Sequence, residues 1–594
     1  MGHVRQAFST LNMVFKRSFW RIGLDPCLHI LLIVLALVAA KLYSLEIVSR
    51  TYMACEWCLS PKSLPHETEF LLVLLALHLF SCVSRWLLLR RVFRVLVVSA
   101  ILVTALDLAV SHQFWVRLTA SEMFEFMGES SALLSYLQQA LPGVWTKLAT
   151  ALAAIALVWL FGRYVMDNRP SLPPVFLYVW IGVGVVGCEL VETKEYHDAF
   201  LQNSLQVFFS QQTSTTPYSK EFVSTVSAQT PAAKTCKAAN GTPSDVILVV
   251  FESLSMYHSA LYSGIHDWMP EFDAMSRTGV RYTNFYANGV TSEQGLVSLL
   301  TGEPPIAKAM TTKTLFEQFR DPVQTVPRLL HGLGYHTSFL TTGNLSFMDK
   351  GEWLKGIGFD ETEGHDAPFY RGMKRYNFDA ASDDALYARA LNRWQQQPRA
   401  NPIFMTLETV TTHLPNVDPE TGAHSQEATY RYADRQLGQF VRQLRSNGFF
   451  DHGTLIITAD HRAMVPMSVE ERALYGDRAF VRVPMTIIGT GLTPHVETAS
   501  FSQADLLTSL RSAMSQGENC VTADQGVFLP TAVHAPQCIF TNRSYNTNSV
   551  YVHCGSSDFT VELNGDKTQF VDAQQPPPDL LNTLHGLRLG KGYQ

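Results

Sequence analysis

Three short stretches of this sequence carry side chains that could bind a metal ion. Glu252 follows a run of β-branched residues, Thr409 to His413 follow a second such run, and Asp460-His461 follow a third. Carboxylate oxygens and imidazole nitrogens together suit a divalent metal. Each signal alone also fits a simpler role, because an Asp-His pair can be a solvated turn and a glutamate can cap a helix. Their joint occurrence at corresponding strand ends predicts one shared site.

A hydroxyl that could act as a nucleophile belongs to Thr291. The segment Asn288–Leu300 is typical of a loop that enters a helix, with Thr291 near the first turn. Unpaired backbone N–H groups and the positive end of the helix dipole favour a developing alkoxide and a bound phosphate there. A nearby metal would lower the pKa of the hydroxyl further. The same position also fits a helix cap formed by Thr291 or Ser292, so the sequence leaves both roles open.

These residues belong to a predicted catalytic domain over residues 245–515. The domain begins with the apolar run Asp245–Glu252, which is typical of a strand buried on both faces of a parallel sheet. Further strand-like runs alternate with amphipathic helical patterns, which predicts an α/β sandwich with a mostly parallel central sheet. Ligands of such sheets collect at the carboxyl ends of the strands. The strand-like runs are His336–Thr341, Ile403–Glu408, Thr454–Thr458 and Val483–Gly489, and the helical patterns include Val323–Gly332, Asp383–Gln397, Tyr430–Asn447 and Gln503–Met514.

The first third of the chain, residues 1–191, is predicted to be an α-helical membrane domain with five spans. The chain has 594 residues, more than one hydrophobic core usually organises, and its long apolar runs fall before about Leu190. Each run is near the length that a helix needs to cross a hydrocarbon core of about 30 Å. Buried helices of a soluble protein are the alternative. The runs are Cys27–Val48, Phe70–Leu89, Val95–Val110, Val144–Phe161 and Val175–Leu190.

Basic residues predict the orientation of this domain. Arg and Lys cluster before the first run, between the second and third, and between the fourth and fifth. Such segments tend to face the cytoplasm, so five crossings place the rest of the chain outside, where disulfides are allowed. Asp107, inside the third run, is either a functional carboxylate or a residue that reaches interfacial water.

Two further segments complete the predicted organisation. Residues 192–244 are rich in Gln, Ser and Thr, which predicts a juxtamembrane linker with a short helix around Phe200–Phe209. Residues 516–594 are predicted to form a small antiparallel sheet from Ser549–Cys554 and Phe559–Leu563, followed by an extended tail. The formal net charge of −6 argues against a dedicated nucleic-acid-binding protein.

The motifs resemble those of the lipoteichoic acid synthases and their Gram-negative relatives, the phosphoglycerol transferase family of the alkaline phosphatase superfamily. Phe251–Ser255, Thr291–Glu293 and Thr458–His461 occur in that family's order and approximate spacing, and the five-span layout is similar. The resemblance implies one divalent metal ion, Mn²⁺ or Mg²⁺ with Zn²⁺ as an alternative, bound by four residues of which the threonine is also the nucleophile. These are Glu252, Thr291, Asp460 and His461.

The resemblance also implies where the transferred group binds. His413 is similar to the family histidine that contacts this group, and we expect it to help protonate the leaving oxygen. The stretch Gly343–Trp353 falls where head-group residues lie, but Met348 and Lys350 stand where the phosphoglycerol enzymes have Trp and Arg. Lysine offers charge without the bidentate fork of arginine, so the head group stays open. The candidate substrate ligands are His413, Asn344, Phe347, Lys350 and Arg462.

The implied function is transfer of a phosphoglycerol head group from phosphatidylglycerol to a glycan or lipid-linked acceptor, through a phosphothreonine. The implied location is the bacterial cytoplasmic membrane, with the catalytic domain periplasmic or extracellular. A phosphoethanolamine transferase and a catalytically inactive lipid-binding regulator are the alternatives. A formylglycine-dependent sulfatase is not expected, because Thr291 cannot be modified as the Cys or Ser of a C-x-P-x-R motif is.

Overall fold

The computed structural model divides the chain into two compact units. The first comprises Met1–Glu125 with Gly143–Ser210, and the second comprises Phe126–Pro142 with Gln211–Gln594. The structure describes residues 33–43, 64–83, 86–114, 117–120, 203–209, 218–229, 244–306, 315–319, 324–397, 401–465, 467–514, 526–529, 533–542, 549–570 and 578–589.

Helices form the described part of the first unit. They are α1 (33–43), α2 (Leu64–Val83), α3 (Leu87–Phe114) and α4 (Ser204–Phe209). The second and third predicted apolar runs fall largely on α2 and α3, the first falls partly on α1, and the last two lie outside the described residues. No helix in the described ranges is both long enough and apolar enough to cross a membrane.

A buried ion pair explains how the apolar helix α3 carries a carboxylate. Asp107 is fully buried, and it accepts hydrogen bonds from Arg117 Nη2 at 2.7 Å and from the backbone N–H of Leu118 at 2.9 Å. A buried charge is stable only when it is paired and hydrogen-bonded, and this one is both. Asp107 therefore has a structural partner within its own unit.

A nine-stranded mixed sheet organises the second unit, as the alternating pattern of the sequence predicts. Its order is β4-β3-β5-β1-β6-β7-β2-β8, and β9 pairs with β2. β7 runs antiparallel to both β6 and β2, while the other pairs are parallel. The strands are β1 (Val246–Phe251), β2 (Val280–Tyr286), β3 (His336–Thr341), β4 (Glu361–Glu363), β5 (Ile403–Glu408), β6 (Thr454–Ala459), β7 (Arg482–Gly489), β8 (His495–Glu497) and β9 (Phe501–Ser502).

The centre of this sheet is apolar on both faces. Every residue of β1 is buried, which is what its continuous run of Val, Ile, Leu and Phe requires. β5 and β6 flank β1 in parallel and are almost entirely buried as well. Helices cover the sheet and share its core. They are α6 (Pro270–Ser276), α7 (Ser292–Thr301), α8 (Leu315–Gln318), α9 (Val326–Gly332), α10 (Lys350–Gly356), α11 (Asp383–Gln396), α12 (Gln426–Ser446) and α14 (Asp505–Met514). The second unit also contains α5 (Lys220–Gln229) and α13 (Val469–Tyr475).

A second, four-stranded antiparallel sheet lies near the C-terminus, and a disulfide between Cys538 and Cys554 ties its first two strands together. Its strands are β10 (Ile539–Asn542), β11 (Ser549–Cys554), β12 (Ser557–Asn564) and β13 (Lys567–Phe570). The prediction of an extended tail is wrong for residues 578–588, because α15 (Pro578–Arg588) is a helix. Proline is tolerated at the first helical position, where its missing N–H costs nothing.

The segment that leads into the second unit is also more ordered than predicted. Helix α5 lies in the predicted linker, and the neighbouring Tyr218 hydroxyl is 2.9 Å from His585 Nδ1 on α15. Tyr218 and Phe222 both pack against the His585 ring. The start and the end of this unit are therefore in direct contact.

Candidate metal centre

Two neighbouring parallel strands bring three ionisable side chains together. Glu252 directly follows β1, and Asp460 and His461 directly follow β6. Because Phe251 pairs with Ala459 in the sheet, the residues after them emerge side by side. One ligand atom from each of the three side chains lies within 4.8 Å of the others, and the residues are 4%, 1% and 0% exposed. The structure thus gathers three of the four predicted ligands.

The turn after β1 holds both carboxylates through Ser253. Its hydroxyl donates to Glu252 Oε1 at 2.7 Å, and its backbone N–H donates to Asp460 Oδ1 at 2.8 Å. Ser253 adopts a φ of 59°, in the left-handed region, which costs a non-glycine residue about 1 kcal/mol or more. The Tyr430 hydroxyl donates to the Ser253 carbonyl at 2.7 Å and so helps to hold this conformation.

Helix α7 begins at the same place. A Cβ added at Gly295 would come within 2.1 Å of the Asp460 carbonyl oxygen, so only glycine lets the helix approach this closely. Thr291 is the N-cap, and its side chain accepts a hydrogen bond from the backbone of Gln294 at 3.4 Å. The capping role that the sequence allowed is therefore present.

Ser292 is the hydroxyl that touches the carboxylate cluster. Its Oγ donates to Glu252 Oε2 at 3.2 Å and lies 3.3 Å from His461 Nε2. Sequence reasoning treated Ser292 only as a possible cap, and its position directly after Thr291 was the one available signal. Two adjacent hydroxyls thus stand at the start of α7, one capping the helix and one facing the acids.

The electrostatics of the cluster reflect two buried carboxyl groups beside one imidazole. Burial raises the pKa of Glu252, and the nearby Asp460 carboxylate raises it further. Burial alone would raise the pKa of Asp460 too, but His461 and hydrogen bonds outweigh it and hold that pKa well below its usual range. Burial lowers the pKa of His461, yet Asp460 and Glu252 overcome this and raise it to about 9.

The donor set fits a divalent cation. Asp460 Oδ2 lies 3.2 Å from His461 Nε2, yet within the described residues it receives no hydrogen bond of acceptable geometry. His461 Nδ1 lies 2.7 Å from the Arg462 carbonyl; donation by its N–H there turns Nε2 toward the acids. Two carboxylates and one imidazole suit Mn²⁺, Mg²⁺ or Zn²⁺. A cation would compensate the two negative charges that one imidazole cannot.

The loop after β5 supports Glu252 and carries His413. The Thr409 hydroxyl accepts from the Glu252 N–H at 2.9 Å, and the Thr412 hydroxyl donates to the Glu252 carbonyl at 2.6 Å. His413 Nδ1 lies 2.6 Å from the Leu414 carbonyl, and burial lowers its pKa to about 4. His413 is thus neutral at pH 7.

The predicted head-group segment forms a tight turn followed by a helix. Asn344 Oδ1 accepts from the Ser346 N–H at 2.9 Å, and Phe347 begins a single helical turn. Lys350 starts α10, and its ammonium donates to Glu408 Oε1 at 2.7 Å. Lys350 is therefore already ion-paired. Sequence reasoning missed Glu408 as a site residue, although it ends a predicted strand.

Arg462, a predicted substrate ligand, directly follows His461 in the loop after β6. Its guanidinium is buried, and it pairs with Glu471 through Nη2 at 2.6 Å. It also donates to the carbonyls of Ala463 and Val465 at 2.8 and 2.6 Å. These contacts hold the loop after β6, and substrate binding by Arg462 stays a prediction.

Comparison with known families decides the class of this domain. Residues 244–516 match the family model described as sulfatase. We call this matched part of the chain the sulfatase domain. The sulfatase family lies within the alkaline phosphatase superfamily, so the resemblance that the sequence motifs carry is confirmed at this level.

Three proteins of low sequence identity are similar to parts of this chain. The inner membrane protein YejM of Salmonella typhi is 22% identical over 383 residues, 60% of this chain and 57% of that protein. Phosphoglycerol transferase I of Xanthomonas axonopodis pv. citri is 23% identical over 271 residues, 42% of this chain and 38% of that protein. The crystal structure of the lipoteichoic acid synthase LtaP from Listeria monocytogenes has a TM-score of 0.44 at 17% identity, covering 62% of this chain and 96% of that one. The chain thus spans about half the length of the curated relatives it matches.

Proposed function

We propose that this protein is a membrane-anchored, metal-dependent transferase that moves a phosphoglycerol head group from phosphatidylglycerol to a glycan or lipid-linked acceptor. The observation that carries the proposal is the buried group Glu252, Asp460 and His461 beside the hydroxyls at the start of α7, within a sulfatase domain. A relative named phosphoglycerol transferase I supports the choice of transferred group.

The chain's own residues would bind and transfer the phosphoryl group. A divalent ion held by Glu252, Asp460 and His461 supplies charge neutralisation and a lowered hydroxyl pKa when bound. The N–H groups at the start of α7 bind phosphoryl oxygens. Thr291 Oγ1 forms a bond to phosphorus, the bond from phosphorus to the diacylglycerol oxygen breaks, and the hydroxyl proton passes to the departing oxygen. An acceptor hydroxyl then attacks the phosphothreonine and restores Thr291.

Two details of the site refine this scheme. His413 is neutral at pH 7, because its pKa is about 4, so we assign it hydrogen-bond acceptance from a substrate hydroxyl in place of proton donation. Thr291 remains the proposed nucleophile on the basis of the motif. Ser292 is the rival, because its hydroxyl contacts Glu252 and His461 directly.

We also propose that the catalytic domain lies on the periplasmic or extracellular side of a bacterial cytoplasmic membrane. The support is the five apolar runs, the distribution of basic residues around them and a relative named as an inner membrane protein. The disulfide between Cys538 and Cys554 agrees with an oxidising compartment.

A catalytically inactive lipid-binding regulator is the second candidate. One relative that aligns with 60% of this chain carries the name of an inner membrane protein and no reaction. In this structure, moreover, Thr291 caps its helix. These observations make a direct assay of turnover decisive.

The test uses the full-length protein in detergent with fluorescent phosphatidylglycerol or phosphatidylethanolamine, with and without Mn²⁺. We expect Mn²⁺-dependent release of diacylglycerol from phosphatidylglycerol, a loss of about 10³-fold or more in Thr291→Ala, and a smaller loss in Ser292→Ala. A larger loss in Ser292→Ala would make Ser292 the nucleophile. A preference for phosphatidylethanolamine would show that the transferred head group is phosphoethanolamine. If neither lipid is turned over, the result favours the inactive regulator.

A further inference from the structure

The ion pair between Lys350 and Glu408 lies at the same edge of the sheet as the metal ligands. Glu408 is the last residue of β5 and pairs with Val250 of β1, two residues before Glu252. The next residue, Thr409, accepts a hydrogen bond from the Glu252 N–H. The pair therefore stands beside the residues that the proposed reaction needs.

Electrostatics place the pair near His413 as well. The positive charges of His461 and Lys350 both act to lower the pKa of His413, while the larger cause is burial. His413 is thus close enough to both the metal-ligand cluster and Lys350 for their charges to act on it.

A strained turn delivers Lys350 to this position. Met348 and Asp349 both have left-handed backbone conformations, with φ of 53° and 56°. Non-glycine residues adopt this region rarely, and they keep it where the surrounding structure over-determines them, often at ligand-binding sites. Two such residues directly before Lys350 indicate that the position of Lys350 is maintained despite the backbone strain in the turn.

The pair has one unused acceptor. Glu408 Oε1 binds Lys350 at 2.7 Å, and the side chains of Lys350 and Glu408 are only 16% and 5% exposed. Glu408 Oε2 is buried and has no hydrogen-bond partner among the residues that the structure describes. A buried carboxylate oxygen without a donor is unfavourable, so a donor on a ligand would complete it.

We propose that Glu408 selects the head group, its Oε2 accepting a hydrogen bond from a hydroxyl of a neutral polyol, while Lys350 holds the carboxylate in place. This inference rests on the proposed phospholipid-transferring function and specifies its substrate class. A head group with an ammonium fits less well. Its positive charge would share the Glu408 carboxylate with the Lys350 ammonium, and the two positive charges would repel each other. A head group without a hydroxyl would leave Oε2 unsatisfied.

The test compares binding of two phosphates that differ only in hydroxyl groups. Glycerol 1-phosphate and propyl phosphate are titrated by calorimetry into the full-length protein in detergent with Mn²⁺. We expect the wild type to bind glycerol 1-phosphate about tenfold or more tightly, as a hydrogen bond to a charged acceptor warrants. In Glu408→Gln the preference should fall below about threefold, and propyl phosphate should bind more tightly because Lys350 is no longer neutralised.

A double variant guards against misfolding. Lys350→Met with Glu408→Met removes both charges, so no unpaired charge stays buried, and it should also lose the preference. The matched control is Glu363→Gln, which breaks the ion pair of Glu363 with Arg389, 2.7 Å at both contacts, in the same domain. The control should keep the wild-type preference.

Several results would overturn this assignment. The first is a wild type that binds neither phosphate, or that prefers glycerol 1-phosphate over propyl phosphate by less than threefold. The second is a wild type that binds phosphoethanolamine more tightly than glycerol 1-phosphate. The third is a wild-type preference for glycerol 1-phosphate in both Glu408 variants. Turnover of phosphatidylglycerol is measured separately. A wild type that selects glycerol 1-phosphate but releases no diacylglycerol would reject the transferase and leave the Glu408 subsite standing.

Discussion

Two groups of buried carboxylates in the sulfatase domain differ in what surrounds them. Glu252 and Asp460 face each other with one imidazole, and one oxygen of Asp460 receives no hydrogen bond from the described residues. Asp434 instead accepts from the backbone N–H groups of Glu271 and Phe272, both at 2.8 Å, at the start of α6. Asp505 accepts from the N–H groups of Ser502 and Gly526, both at 2.7 Å.

The difference separates a functional site from structural ones. Backbone N–H groups complete Asp434 and Asp505, so these residues fix the positions of helices and loops without further ligands. The acids at the ends of β1 and β6 concentrate negative charge that the protein does not fully compensate. Burial of carboxylates alone therefore does not identify a metal site. Burial of carboxylates whose negative charge the protein does not fully compensate does.

The largest effect on metal binding and turnover should come from a substitution among the metal-binding acids Glu252 and Asp460. Asp460→Asn keeps the size of the side chain but removes one of two negative charges, so bound metal should be lost and turnover should fall by about 10²-fold or more. Metal content by mass spectrometry and diacylglycerol release measure this. Asp434→Asn is the matched control and should keep its metal. Equal metal content in Asp460→Asn and the wild type would place the ion elsewhere.

Removal of the ion should affect stability through the same group. A ligand present at 100 times its Kd stabilises by about 2.7 kcal/mol, so a chelator should lower the melting temperature by roughly 5 °C. The shift should disappear in Asp460→Asn and persist in Asp434→Asn, as thermal melts with and without EDTA can show. If EDTA lowers the melting temperature of both variants equally, Asp460 does not differ from Asp434 in metal binding.

The structural carboxylates should act on stability alone. Asp434→Ala leaves the N–H groups of Glu271 and Phe272 without their acceptor, which should cost about 2 kcal/mol in the free energy of unfolding. Denaturant unfolding measures the loss, and metal content should not change. Asp434→Asn retains an acceptor oxygen and should lose less. A fully folded Asp434→Ala variant with reduced metal content would contradict the assignment of Asp434 to a structural role.

A further effect concerns the pH dependence of stability. Burial raises the pKa of Asp434 to about 7 in the folded protein, against about 3.9 for an unfolded chain. Because the folded state holds the proton more tightly, this contribution to stability is complete below about pH 4 and is lost as the pH rises through 7. The slope is at most about 1.4 kcal/mol per pH unit. Urea midpoints at pH 5 and 7.5 should differ less in Asp434→Asn than in the wild type.

Much of the central sheet could be predicted from the sequence. β3 and β5 have the predicted limits, because buried β-branched runs leave few alternatives. β1 is one residue shorter than predicted at each end, and β6 is one residue longer at its C-terminal end. β2 was not predicted. Its burial does not alternate, and its pairing with β7 shifts between Tyr282 and Phe285, so it shows no clean period.

The candidate site was predictable only where the residues stand next to strong elements. Glu252, Asp460 and His461 follow recognisable strands, and the geometry of parallel strands brings such ends together. The pairing of Lys350 with Glu408 joins residues 58 positions apart and leaves no local pattern. The contact of Ser292 with Glu252 depends likewise on how closely α7 approaches β6, which Gly295 permits.

The turn at Ser253 has a consequence for how the acids move. One residue binds the side chain of Glu252 with its hydroxyl and that of Asp460 with its backbone, although 207 positions separate it from the latter. We therefore expect a displacement of this turn to move both carboxylates together, so that the two acids reach or leave the metal-binding geometry as one unit.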